Sequence, residues 1–150
     1  DTLPDEDATR RLAQDIAAAI LPGDVIAMNG DLGAGKSVLA RGFVRALAGA
    51  DVEVPSPTFT LVQTYELPEV TIYHFDLYRL EDPEDIWELG VEEAFDDGIS
   101  LFEWPGNGGS AIPADRLTVR LTIEADEARR AEVTGGPSWT ARLTDVAAND

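Results

Sequence analysis

No cysteine occurs in this chain, which excludes disulfides and thiolate metal sites and fits a cytoplasmic protein. Basic residues are scarce: 11 Lys and Arg stand against 29 Asp and Glu, for a formal net charge of −18. The longest basic runs are the pairs Arg10-Arg11 and Arg129-Arg130. Nucleic-acid affinity comes mainly from basic groups meeting phosphates, so direct, unaided binding of RNA or DNA is not expected. Acidity of this kind ordinarily serves solubility or salt adaptation, and it is compatible with a basic protein partner. Apolar runs are short, none near the ~20 residues that cross a bilayer, so no membrane association is expected. The opening stretch Asp1-Thr2-Leu3-Pro4-Asp5-Glu6-Asp7 is acidic, the opposite of a signal or transit peptide. It begins on Asp rather than Met, as if a short upstream piece were missing.

The scarcity of lysine is the most pointed. The chain has one, Lys36, and its other ten basic residues are arginine. That lysine lies in Gly30-Asp31-Leu32-Gly33-Ala34-Gly35-Lys36-Ser37, which fits the phosphate-binding loop pattern G-x-x-x-x-G-K-[ST] without a gap. Glycines at 30, 33 and 35 let successive backbone N–H groups converge on phosphate oxygens, at a helix N-terminus whose dipole favours anions. Lys36 is expected at the β- and γ-phosphates and the Ser37 hydroxyl on Mg²⁺. A nucleotide is expected against Asp31, Leu32, Gly33, Ala34, Gly35, Lys36, Ser37 and Val38.

The local pattern supplies the strand–loop–helix context that such a loop needs. A first helix is predicted over residues 8–21, capped by Asp7 or Thr9 and broken by Pro22-Gly23. The apolar run Val25-Ile26-Ala27-Met28, ending in Asn29-Gly30, reads as a buried strand. A helix follows from Ser37 to Ala48, stopped by Gly49. Pro55-Ser56-Pro57 marks a rigid loop. Residues 59–65 and 70–76 read as two strands of a hairpin turned at 67–69. Pro83 opens a helix over 84–89 that Gly90 ends. Residues 99–103 form another buried strand, closed by Trp104-Pro105, and 106–110 read as a flexible loop. Residues 117–123 alternate cleanly as a strand, 130–133 return antiparallel to it, and 139–146 form a weak terminal helix. The sum is one α/β domain over residues 1–150, a three-layer P-loop NTPase fold with a mixed parallel and antiparallel sheet flanked by helices.

A phosphate-binding loop needs a carboxylate near the metal, usually at the C-terminal end of a neighbouring apolar strand. Asp76 and Glu103 have that placement: one for the Mg²⁺ shell, the other to orient or deprotonate an attacking water. Each also looks like an ordinary solvent-facing acid at a strand end. Thr58 could be a switch residue sensing the γ-phosphate or the metal, though such a position is more often a plain strand start. His74, the only histidine, lies mid-strand and reads as a packed, hydrogen-bonded core residue rather than a catalytic one. Arg79 suits a phosphate contact or a surface ion pair. Trp104 suits a lid over the site or a plug in the core.

Taken in order, these motifs resemble the TsaE (YjeE) family. The likeness rests on residues 30–37 with Arg41-Gly42, on Val54-Pro55-Ser56-Pro57-Thr58-Phe59, on His74-Phe75-Asp76-Leu77-Tyr78-Arg79-Leu80, on Leu89-Gly90 and on Glu103-Trp104-Pro105. It spans roughly residues 8–123 and is weak over the last ~25. It implies a small ATPase for the threonylcarbamoyl modification of adenosine beside the anticodon of certain tRNAs, slow alone and acting with TsaB and TsaD. TsaD performs the transfer, so tRNA is met only through the partners. The resemblance makes the nucleotide ATP or ADP, and assigns Lys36 and Ser37 to phosphate and Mg²⁺, and Asp76 and Glu103 to metal binding and hydrolysis. It makes Thr58 a switch residue and brings Trp104 near the nucleotide. Two other readings compete: a small-molecule kinase, which would want arginines in a closing lid where 106–110 has none, and a nucleotide-gated binding module with negligible turnover.

Overall fold

Val25–Gly30 forms the central strand of a seven-stranded sheet in a computed structural model of the chain. The structure describes residues 2–3, 5–30, 34–49, 61–124, 128–136 and 139. The strands are β1 (Thr2–Leu3), β2 (Val25–Gly30), β3 (Val62–Glu66), β4 (Thr71–Asp76), β5 (Ile99–Glu103), β6 (Leu117–Ile123) and β7 (Arg129–Gly135), ordered β1-β7-β6-β2-β5-β4-β3. The four inner strands β6, β2, β5 and β4 are mutually parallel. Antiparallel pairings finish each edge, β3 on β4 at one side, β7 and β1 at the other. Strands buried on both faces read as continuous apolar runs, and every residue of β5 is buried.

Helices cover both faces. α1 (Glu6–Ala17) and α2 (Lys36–Ala48) pack on one, where Ile16, Leu39 and Phe43 meet Ile26, Met28, Ile72, Leu101 and Val119. α3 (Val91–Asp97) and a 3₁₀ helix, Pro83–Leu89, cover the other, where Ile86, Val91 and Ala94 meet Val25, Phe75 and Phe102. The period-2 alternation along β2, β4 and β5 divides their side chains between the two cores. This is the expected three-layer arrangement with a mixed sheet.

Several local expectations are corrected. α1 starts earlier and is capped by Asp5, neither Asp7 nor Thr9: Asp5 is extended and its Oδ1 accepts the Ala8 N–H at 2.9 Å. Asp7 instead pairs with Arg10 on the exposed face, and Thr9 is buried inside the helix. The same helix ends at Ala17, before residue 21. β2 does end in Asn29-Gly30 as read, where these two residues continue the register with Arg120 and Leu121. The helix expected over 84–89 is present, wound as 3₁₀ and ended by Gly90 at φ 82° as read, but α3 follows where no helix was predicted. Residues 106–110 are not a free loop: they belong to a 3₁₀ segment, Pro105–Ala111, that kinks at Gly109. Asn107 Nδ2 ties that segment to β4 by donating to the carbonyl of Leu77 at 2.8 Å. Of the predicted terminal helix, 140–146 lie outside the described residues, as do Val54 to Phe59.

Gly42 sets the contact of α1 with α2. A Cβ there would come within 2.8 Å of the Ala13 Cβ and 3.7 Å of the Arg10 Cα. A Gly42→Val variant should therefore lose about 1–3 kcal/mol of stability by overpacking, read as a lower denaturant midpoint.

Candidate functional site

Three inner strands end at one edge of the sheet, and their C-terminal ends carry the candidate residues. β2 ends at Gly30 and hands the chain to the glycine-rich turn; β4 ends on Asp76 and β5 on Glu103. In open α/β sheets ligands bind in the crevice outside these carboxyl ends. Here the crevice is a cleft of about 380 Å³ lined by Ala34, Gly35, Lys36, Ser37, Val38, Asp76, Glu103 and Trp104, with Tyr78, Arg129 and Asp5, Glu6 and Thr9 of the α1 end completing it. Asp31, Leu32, Gly33 and Thr58 lie outside the described residues.

The turn places its cation inward. Gly35 caps α2 at φ 108°, a left-handed conformation that glycine adopts without penalty. Gly30 packs against β6 so closely that a Cβ would meet the Leu121 carbonyl at 2.7 Å. Lys36, the first residue of α2, is only 5% exposed. Its ammonium donates to the Gly30 carbonyl and lies 4.1 Å from the centroid of the Trp104 ring. Trp104 reaches that place because its own backbone turns left-handed, φ 57° and ψ 52°. Such a conformation costs on the order of 1–3 kcal/mol and persists where the surroundings over-determine it. Tyr78 supports the indole from the side, with ring centroids 5.0 Å apart. Trp104 is thus the lid of the lysine.

The carboxylates converge from two strands. Asp76 and Glu103 are register partners on adjacent parallel strands, and they are 6% and 3% exposed. Neither is the solvent-facing acid that its position at a strand end allows. Asp76 Oδ1 accepts the Tyr78 N–H at 3.0 Å, which locks the turn after β4. Glu103 is held at both oxygens: Ser37 Oγ donates to Oε1 at 3.2 Å, and His74 Nε2 lies 2.7 Å from Oε2. His74 is packed and hydrogen-bonded as expected, 2% exposed, but its partner is a candidate site residue. Arg79 is exposed and does not line the cleft.

Arg129 is the residue that the sequence did not point to. It sits at the start of β7, about a hundred positions from the turn, and its Nε donates to the Ala34 carbonyl at 3.2 Å. It read only as half of a basic pair. Its place on an antiparallel return beside the turn follows from sheet order alone.

Fold and cleft together define an α/β protein of mixed sheet in which a glycine-rich strand-to-helix turn faces two buried carboxylates. The chain belongs to the TsaE family: the model of that family, described as threonylcarbamoyl adenosine biosynthesis protein TsaE, matches residues 3–131. That match starts before and ends beyond the 8–123 covered by the motif resemblance. The chain is similar to the tRNA threonylcarbamoyladenosine biosynthesis protein TsaE of Rickettsia bellii, 39% identical over 132 residues that cover 88% of this chain and 92% of that one. With the protein of the same description from Rickettsia conorii it is 47% identical over 103 residues, 69% of this chain and 59% of the relative. The fold is similar to the crystal structure of YdiB from Bacillus subtilis, with a TM-score of 0.83 and 27% identity over 99% of this chain and 93% of that one. No helix among the described residues is long and apolar enough to cross a membrane.

Proposed function

We propose that this chain binds and hydrolyses ATP with Mg²⁺ at a P-loop formed by residues 30–37, as one domain. On this reading it acts with TsaB and TsaD in the threonylcarbamoyl modification of the adenosine next to the anticodon of tRNA. One observation carries it: the lone lysine and the adjacent serine of the turn converge in one cleft on two carboxylates from neighbouring parallel strands. Lys36 and the N-terminal amides of α2 are fitted to phosphate oxygens. The carbonyl of Gly30 and the Trp104 ring hold the ammonium in the turn, so its burial is compensated before any phosphate arrives.

The donor set fits magnesium. It is all oxygen: the Ser37 hydroxyl with the Asp76 and Glu103 carboxylates, directly or through water. Among the described residues no group of three or more His, Cys, Asp or Glu forms a protein-only cage. Magnesium needs none, since it keeps waters and takes one or two carboxylates plus substrate phosphates. When bound, the ion supplies neutralisation of charge on the phosphate oxygens. Glu103, fixed at both oxygens, is the carboxylate suited to orient an attacking water and take its proton. Arg129 steadies the turn through the Ala34 carbonyl. A net charge of −18 suits a protein that meets tRNA through partners rather than directly.

The test is ATP turnover of the purified chain, alone and with TsaB and TsaD. Slow turnover that rises with the partners is the expected result, and no turnover in either condition defeats the proposal. Chelation with EDTA should abolish that turnover while leaving the far-UV circular dichroism unchanged. A collapse of the helical signal on chelation would instead mean that the metal holds the fold.

A further inference from the structure

His74 stands where an aliphatic side chain would serve the core. It lies mid-strand in β4 between Ile72 and Asp76, which share its face, and opposite Leu101 of β5 in the register. That face is covered by α1 and α2. A polar ring at such a position costs free energy unless it is hydrogen-bonded. Among the described residues, the hydrogen-bonding contact that compensates it is Glu103 Oε2 at 2.7 Å, and both side chains are buried, 2% and 4% exposed.

The ring's other nitrogen settles which atom carries the proton. Nδ1 is buried and meets no partner among the described residues. A proton on Nδ1 would bury an unmet donor and leave two acceptors, Nε2 and the carboxylate, facing each other. A proton on Nε2 leaves at Nδ1 only a bare lone pair, the cheaper of the two deficits. The network therefore assigns Nε2–H as donor to Glu103 Oε2.

We propose that His74 is a positioning residue for Glu103. Its Nε2–H fixes Oε2 from the neighbouring strand while Ser37 holds Oε1 from α2, so the carboxylate is clamped between two elements and cannot rotate away from the cleft. The proposal rests on the ATPase reading above for its kinetic consequence, but not for the hydrogen bond itself. Partners that orient a ligating or catalytic group typically matter by about 10–100-fold when removed.

Two measurements test it. The chain has a single histidine, so a long-range ¹H–¹⁵N correlation spectrum of the metal-free, nucleotide-free protein contains one imidazole. The pattern of a ring protonated at Nε2, shifted in Glu103→Gln, is expected; a wild-type ring protonated at Nδ1 overturns the proposal. In turnover assays, His74→Leu keeps an apolar filling of the site and should lower kcat by about 10–100-fold with KM for ATP changed less than ~2-fold. His74→Gln, whose amide N–H₂ can reach Oε2, should recover part of the loss. A His74→Leu protein that folds and keeps wild-type kcat overturns the proposal, as does a folded His74→Gln no better than His74→Leu. If the leucine variant does not fold, the wild-type spectrum still decides the matter. If wild type shows no ATP turnover at all, the functional reading fails, while the spectrum still reports whether His74 holds Glu103.

Discussion

Replacement of Lys36 by alanine is expected to lower ATP turnover by at least ~10²-fold, with ATP binding weakened in parallel, while the protein stays folded. Removing one preorganised donor from a site of developing charge costs about 10²–10³ in rate. Lys36 is the only cation of the glycine-rich turn, and it is buried beneath Trp104 rather than waving in solvent. The structural cost is of a different kind and is read separately. The alanine variant loses a charge-assisted hydrogen bond to Gly30 worth about 1.5–3 kcal/mol net and a cation–π contact worth about 0.5–2, partly offset by no longer burying the ammonium. Alanine is also the best helix former at the first position of α2. Calorimetric titration with ATP beside thermal unfolding separates the two effects. Lys36→Arg should not rescue binding, because a planar guanidinium is bulkier than an ammonium in the space between the Gly30 carbonyl and the indole. Unchanged ATP affinity in Lys36→Ala would remove the turn from the nucleotide site.

Glu103→Gln should part binding from chemistry. The amide matches the carboxylate in shape, so the cleft and ATP affinity are expected to survive. Turnover is expected to fall by about 10²–10⁴-fold, the usual contribution of a positioned general base. The hydrogen bonds permit the exchange: the amide oxygen can face His74 Nε2–H and the amide N–H₂ can face Ser37 Oγ, which accepts as well as donates. Single-turnover hydrolysis together with equilibrium binding decides the matter. Hydrolysis at the wild-type rate in Glu103→Gln, set against lost binding in Lys36→Ala, would favour a nucleotide-gated module over an ATPase.

Legibility in the sequence varied with how local each feature is. The turn at residues 30–37 was readable because eight consecutive residues carry it and a short apolar strand precedes it. The two acids were readable as strand ends but not as a pair. Their adjacency follows from the parallel register Asp76↔Glu103, which joins strands whose sequence positions are nearly thirty residues apart. His74 read as core, which it is; that its side-chain hydrogen bond goes to Glu103 depends on the same register. Arg129 carried no signal: the antiparallel return was legible, but its place beside the turn depends on β6 pairing with β2, which sheet order sets. The segment after Trp104 looked loose, since glycine and asparagine favour turns, yet Asn107 fastens it to Leu77 across the sheet edge.

The sequence by itself determined the class of this protein: a lone lysine in a gapless glycine-rich turn between strand and helix, with acids at two later strand ends and too little positive charge for nucleic acid. Those are properties of contiguous residues, where backbone freedom, periodicity and charge act over a few positions. Only the tertiary structure decided that the lysine is sheltered by Trp104, that Asp76 and Glu103 stand side by side, and that Glu103 is gripped by Ser37 and His74. Hydrogen bonds and close packing between distant segments depend on register and strand order, which follow from burying both faces of the whole sheet at once.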